Sequence, residues 1–467
     1  MSDVQVAYPE ELSIFEKPTQ NLGTKAARCI TYYPVNDFST QGVIQFRVPN
    51  NSSSYLDLRK TRLNISCKIV KKNGQALEQI SKTNSRTKRT PETSISGSSE
   101  KKEDEEPTAS TTITTTGDIC AAVNNVMHSM FSRVDVALQD KILTNSDDCY
   151  PYEAYIKTLL MTSKEEKQSL QSQGFFEDLE NTTLDYNWTL FDKGSLYIRG
   201  KLFEESKEVD FSGQLCSSVM DISKLIPNGV PLSITLHPSK STFSLLSPSL
   251  GDVNYHIVIT KATLSVCTVD IAPEIAIAHS EIMEKSPALF PYNKTEVKKF
   301  TLASGTFSAC INDPFQSRIP SQLIMGIVKD SAQNGAYTDN PFAFEHAKLN
   351  FLGVTVNGQP MGNDPLQPKY GEKPEDGNYV EAYQTLNGVN GNDSANPISR
   401  IQYPSGFVLY RFHEEIHSDD SLLPKKSGNM SISLRFDEAL QQGMCLIIHA
   451  TFPGGIKVDK SRAIFEM

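Results

Sequence analysis

Along most of this chain, short runs recur in which every second residue is apolar, the two-residue period of a strand with one face on a core. Residues 42–49 (GVIQFRVP) and 63–71 (LNISCKIVK) are of this kind, the second with Leu63, Ile65, Cys67 and Ile69 on one face. The same alternation predicts strands at 133–140, 195–203, 230–238, 253–260 and 262–270. A second series follows at 296–302, 321–328, 347–358 (read as a pair), 406–412, 429–436 and 444–453. These make about fourteen strands in two sets of similar size, divided near residue 288, and point to two β-sandwiches side by side.

Helical spacing is rarer. Asp118 is placed to cap a short helix in which Ile119, Val123, Val126, Met127 and Met130 share a side. A longer helix over 150–172 carries the stripe Tyr152, Tyr155, Ile156, Leu159 and Leu160, which reads as packing rather than a cofactor site. Pro273 opens a third that Pro287 ends, and 379–387 forms a fourth. Between strands, residues 72–118 hold too few apolar side chains to offset the entropy of ordering them, so a mobile polar insertion is expected there. Long polar connections suit a jelly roll, whose loops gather at its ends. A doubly wound α/β enzyme would need regular strand–helix alternation, which this chain lacks.

Length and charge narrow the partners. With 467 residues there is room for two or three domains. The formal charge of −10 argues against sequence-specific contact with nucleic acid, since phosphate needs a basic surface. No run is long and apolar enough to span a bilayer, and the first residues carry no secretory pattern. Ser2 stands where N-myristoylation requires glycine. The eight cysteines are far apart, with no C-x-x-C, and read as buried free thiols of a protein folded inside a cell.

One motif suggests chemistry. Residues 413–417 (HEEIH) fit the zinc-protease pattern, in which His413 and His417 would hold zinc and Glu414 would act as general base. Such a motif needs a helix with an apolar face, yet Ile416 is its only apolar residue, a predicted strand precedes it and Pro424 follows. The stretch therefore reads as a connector, with no catalytic residue, no metal and no cofactor. A zinc-dependent hydrolase is the alternative. His256 and His449 alternate within strands and read as satisfied structural residues, and His128 as a helix residue that caps or bonds a backbone carbonyl. The single Trp188 is too little to mark a sugar site, so a jelly-roll carbohydrate or cell-attachment module is a further alternative.

Several phrases, in order, carry a family resemblance. They are VNNVMHSMFSRVDVALQDKIL (123–143), YPYEAYIKTLL (150–160), the stretch 271–302, NPFAFEHAKLNFLGVTVNGQP (340–360), GNYVEAYQTL (377–386) and GNMSISLRFDEAL (428–440). Together the chain resembles the hexon-type major capsid proteins of adintovirus/Maverick- or adomavirus-like animal DNA viruses and virus-derived elements. The likeness covers nearly everything except 72–118 and 388–400. It implies a mainly β double jelly roll: two tandem eight-stranded jelly rolls with a few short helices and long loops. The first roll would span 1–287, including the insertion 72–118 and the helix 150–172, and the second 288–467. It also implies a structural, non-enzymatic virion protein. Homotrimers would form pseudo-hexagonal capsomers of an icosahedral shell, with penton-type and minor capsid proteins as further partners. Its place would be the virion capsid, after folding in the host cytoplasm, with the nucleus as a place of assembly.

Overall fold

The computed structural model describes residues 23–37, 42–49, 54–79, 81–86, 111–116, 118–145, 147–178, 194–248, 254–362, 364–371, 376–389, 396–413 and 424–467. The first half contributes β1 (Thr24–Tyr32), β2 (Ile44–Val48), β3 (Ser54–Lys71), β4 (Phe131–Leu138), β5 (Lys141–Ile142), β6 (Val209–Gly213), β7 (Leu232–Pro238) and β8 (Tyr255–Ile271). They form two antiparallel sheets, ordered β1-β8-β3-β6 and β2-β7-β4-β5.

The second half repeats this with β9 (Ala288–Leu302), β10 (Ser308–Asn312), β11 (Gln322–Lys329), β12 (Leu349–Val356), β13 (Gln359–Pro360), β14 (Leu409–His413), β15 (Met430–Phe436) and β16 (Met444–Val458). Its sheets run β9-β16-β11-β14, with Ile464–Glu466 pairing to the end of β16 as a fifth strand, and β10-β15-β12-β13. Adding eight to each strand of the first pair reproduces the second. The order of each half, first strand beside last and second beside seventh, is that of a jelly roll.

Alternation explains the cores. In β2, Ile44, Phe46 and Val48 are buried while Gln45 and Arg47 are exposed. Leu63, Ile65, Cys67 and Ile69 of β3 enter the same core, as do Leu232, Ile234 and Leu236 of β7. In the second half, Ile432 and Leu434 of β15 and Leu352 and Val354 of β12 do likewise. Strands β11 and β16 are buried almost throughout, as expected of strands covered on both faces.

Several expectations need correction. Residues 195–203 are not a strand: Ser195–Leu202 forms a helix, because Leu196, Arg199, Gly200 and Phe203 recur at helical spacing and all pack inward. The helix expected after Asp118 shrinks to one turn, Val126–Ser129, preceded by Asn125 in the left-handed region (φ 55°). Asp118 caps nothing there. Its carboxylate accepts from the Glu78 N–H at 2.7 Å and the Tyr255 hydroxyl at 3.1 Å. The two strands read at 253–260 and 262–270 are one, β8, which absorbs a register shift between Ile259 and Lys261. Within the insertion, Ser81–Arg86 and Thr111–Thr116 pair as an antiparallel hairpin rather than a loop, and the stretch between them lies outside the described residues.

The cysteines divide. Cys67, Cys120, Cys149 and Cys445 are buried thiols as expected, whereas Cys216 is half-buried and Cys310 exposed. Cys29 and Cys267 are not free. They face each other across β1 and β8 and form a disulfide.

Candidate functional site at the junction of the two sandwiches

A helix (α1, Tyr150–Met161) joins the two cores. Pro151 sits in its first turn, where a missing N–H costs nothing. Tyr150 and Ala154 belong to the first core, while Tyr152, Tyr155, Ile156, Leu159 and Leu160 belong to the second. The stripe read from the sequence is therefore packing between rolls. Its counterparts come from the link after β11: the Tyr155 ring lies parallel to Phe342 with centroids 4.2 Å apart, and Tyr152 meets Phe342 edge-on at 5.9 Å. Phe243, from the first half, closes the cluster at 6.1 Å from Phe342. Aromatic pairs of these geometries add roughly 0.5–1.5 kcal/mol each beyond burial. Gly326 in β11 permits the approach, since a Cβ there would lie 2.4 Å from the Phe344 ring.

Polar groups lock the same region. His128, fully buried, has Nδ1 2.8 Å from the Tyr150 hydroxyl and Nε2 2.9 Å from Gln173 Oε1. An amide oxygen only accepts, so Nε2 carries the proton and Tyr150 donates to Nδ1. The Cys216 backbone N–H also donates to the Tyr150 oxygen at 3.2 Å, and the Cys216 Sγ lies 3.7 Å from Nε2. His128 thus bonds side chains, not the backbone carbonyl expected. Nearby, the buried Arg199 guanidinium donates to Asp178 at 3.1 and 3.2 Å and to the Ala122 carbonyl at 3.0 Å. Losing one partner of such a pair would leave an uncompensated charge. Three stretches, 123–130, 150–160 and 340–344, meet here. Sequence reading missed Phe243, Phe342, Phe344 and Arg199. The NPFAF phrase was the only available signal, and it names no partner.

Glu153 on α1 adds a pH dependence. Burial, only partly offset by Lys157, pushes its carboxyl up to about 8. Between the unfolded value near 4.5 and about 8, the unfolded chain has released a proton that the folded chain keeps. Stability from this group is therefore lost as pH rises through that window. Glu153→Gln is expected to leave thermal stability unchanged at about pH 4 and to raise it at about pH 8.5 by about 1–2 kcal/mol, the shift being discounted for partial exposure. Equal effects at both pH values in thermal melts would refute this.

His413 ends β14, paired with Gln322, while Glu414 and His417 lie outside the described residues. A zinc-protease motif needs its first histidine on a helix, so a strand position for His413 does not suit that chemistry. Among the described residues, no group of three or more His, Cys, Asp or Glu is placed to hold a metal. His449 is buried, and burial lowers its imidazole to about 4. Its Nδ1 finds no hydrogen-bond partner among the described residues, so it is neutral but not fully satisfied.

No family model matches the chain. It is 24% identical over 438 residues to an uncharacterized protein of Caenorhabditis elegans, covering 91% of this chain and 94% of that one. A chain in the cryo-EM structure of the Sputnik virophage superposes with a TM-score of 0.61 at 13% identity, covering 100% of this chain and 93% of that chain. The Faustovirus major capsid protein gives 0.56 at 9% identity, covering 95% and 92%. The mavirus major capsid protein gives 0.52 at 11%, covering 100% and 96%. Likeness along the whole length, with the twice-repeated strand order, identifies the fold as the double jelly roll that these viral major capsid proteins share.

Proposed function

We propose that the chain is a major capsid subunit, a structural protein whose activity is assembly. The observation that carries this is the repetition of one jelly roll in a single chain, with a shared aromatic junction holding the two copies together. Two rolls per chain make six per homotrimer, so a threefold assembly presents a pseudo-hexagonal tile. Contacts within such a trimer are heterologous and close on themselves. Exposed apolar side chains such as Tyr33, Phe307 and Ile401 supply surface to bury in that assembly.

On this reading the rolls divide at 287/288, and the shell is icosahedral, with penton-type and minor capsid proteins as additional partners. The adintovirus/Maverick or adomavirus grouping belongs to the same reading, as do cytoplasmic folding, nuclear assembly and the lack of sequence-specific nucleic-acid contact. Light scattering after size exclusion is expected to show a trimer at micromolar protein, and negative stain to show hexagonal capsomers or shells. A strictly monomeric species with no particles would overturn the proposal.

A further inference from the structure

The two rolls close the same sheet edge differently. In the second, β9 runs beside β16 over its whole length, from Ala288 opposite Val458 to Leu302 opposite Met444. The first seven residues of β16, Met444–Ala450, are all buried. In the first roll that place belongs to β1 beside β8, yet β1 pairs only from Ile271 back to Leu264, where Tyr32 ends it. Beyond Tyr32 the chain turns to the other sheet, and the Val35 N–H donates to the Gln45 carbonyl at 2.7 Å. Residues 255–263 of β8 therefore pair with β3 on one side and, among the described residues, with no strand on the other.

In an antiparallel ladder every second residue points its N–H and C=O away from a given neighbour. Those of Tyr255 are taken by the Tyr337 hydroxyl, which accepts from the N–H at 3.1 Å and donates to the carbonyl at 2.8 Å. The Ile257 N–H reaches Ser241 Oγ only at 3.4 Å. Ile259 is next in the alternation, so its N–H and C=O face the open side, just before the register shift at Thr260. A groove of about 370 Å³ follows this edge, lined by Ile44, Met130, Ile257, Ile259, Ser239 and Lys240 among others. Ile257 and Ile259 stand opposite the buried Ile69 and Cys67, on the core face of the sheet, but are themselves only half-buried. Ser239 Oγ is buried and finds no hydrogen-bond partner among the described residues. Unpaired ladder groups beside an apolar surface are what a sheet edge offers to an added strand.

We propose that this groove takes an extended segment of a partner protein as an added strand, antiparallel to β8, in the place that the end of β9 fills in the second roll. Alternate residues of that segment are apolar, to cover Ile257 and Ile259, and an acidic residue beside them meets the exposed Lys240. Every strand described in this chain already lies in a sheet, so a partner supplies this one. The inference does not rest on the capsid reading, because its test reads the edge of β8 in the isolated chain whatever that chain assembles into.

Residue-resolved hydrogen exchange on the full chain is the test. In the free protein the Ile259 amide should exchange about a hundredfold faster, or more, than that of Val258, which the alternation turns toward β3. The probes are capped heptapeptides in which valine or isoleucine alternates with threonine, with one glutamate. At millimolar concentration they should slow the Ile259 amide and leave Val258 unchanged. N-methylation of the peptide amides that face β8 should weaken binding about tenfold, the scale of one hydrogen bond, whereas N-methylation of the alternate amides should not. An Ile259 amide already protected in the free chain overturns the proposal, since the chain would then cover its own edge. Protection that appears only as protein concentration rises also overturns it, by assigning the edge to a second copy. So does the absence of slowing by any of the peptides, or slowing that N-methylation leaves unaltered.

Discussion

Phe342→Ala is expected to destabilise the protein by about 3–5 kcal/mol, the range for removing a fully buried phenylalanine. Phe342 has no exposed surface, and its ring touches Tyr152, Tyr155 and Phe243, which come from two other segments of the chain. The vacated space cannot be refilled by one side chain, because the surrounding rings are held by separate elements. The cost should therefore fall at the upper end, where the cavity persists. A second consequence separates this from an ordinary core deletion. The cluster ties α1 to the link after β11, so its loss uncouples the two sandwiches, and thermal unfolding should pass from one transition to two. Phe342→Leu, which keeps most of the volume, should lose less and retain one transition. Calorimetry with denaturant melts reads both effects. A Phe342→Ala protein within 1 kcal/mol of wild type, with a single transition, would show that the junction does not clamp the halves; the 1 kcal/mol bound reflects the usual size of a minor substitution.

That junction also shows where sequence reading stops. The stripe on α1 was legible because its spacing is local: five apolar residues within one helix declare a buried face whatever lies opposite. What lies opposite was not legible, since Tyr155 and Phe342 are brought together by the topology of the two rolls and by no pattern in either segment. Strands such as β2, β7 and β15 were readable for the same local reason, each with one dry and one wet face. Residues 195–202 misled because Leu196, Ile198, Gly200 and Leu202 alternate as well as a strand would. The helix appears only when Arg199 counts as an inward residue, which its pairing with Asp178 makes possible. Before β4, the left-handed Asn125 interrupts a helical pattern that its neighbours otherwise support, leaving the single turn Val126–Ser129 after it. Of the HEEIH stretch, His413 ends β14 and the remaining residues lie outside the described ones.

Strand β1 gave no signal, because most of it is uncovered: Thr24 to Cys29 are exposed, and its far end has Ile30 and Tyr32 half-buried. A strand without an apolar face is held by ladder hydrogen bonds and by whatever fastens its edge. Here the fastenings are the Arg28–Asp270 ion pair and the Cys29–Cys267 disulfide, both to β8. The exposed ion pair contributes little. The disulfide closes 238 residues, a loop for which the chain-entropy account gives about 5 kcal/mol. Reduction, or Cys29→Ser with Cys267→Ser, is therefore expected to release β1 first, while both cores stay folded. Three readouts follow. Non-reducing denaturation should leave six of the eight cysteines titratable, Cys67, Cys120, Cys149, Cys216, Cys310 and Cys445. Trypsin should cut after Lys25 and Arg28 at least about tenfold faster once the bond is reduced, as expected when a segment opens without global unfolding. Amides of β8 that pair with β1 should lose protection in parallel, whereas those pairing β8 with β3 should keep it. The expectation depends on the redox state of the preparation, since a reducing compartment keeps thiols free, so oxidised and reduced samples belong in one experiment. Eight titratable thiols in the oxidised sample, or equal cleavage of β1 in both, would mean that the ladder alone holds this strand.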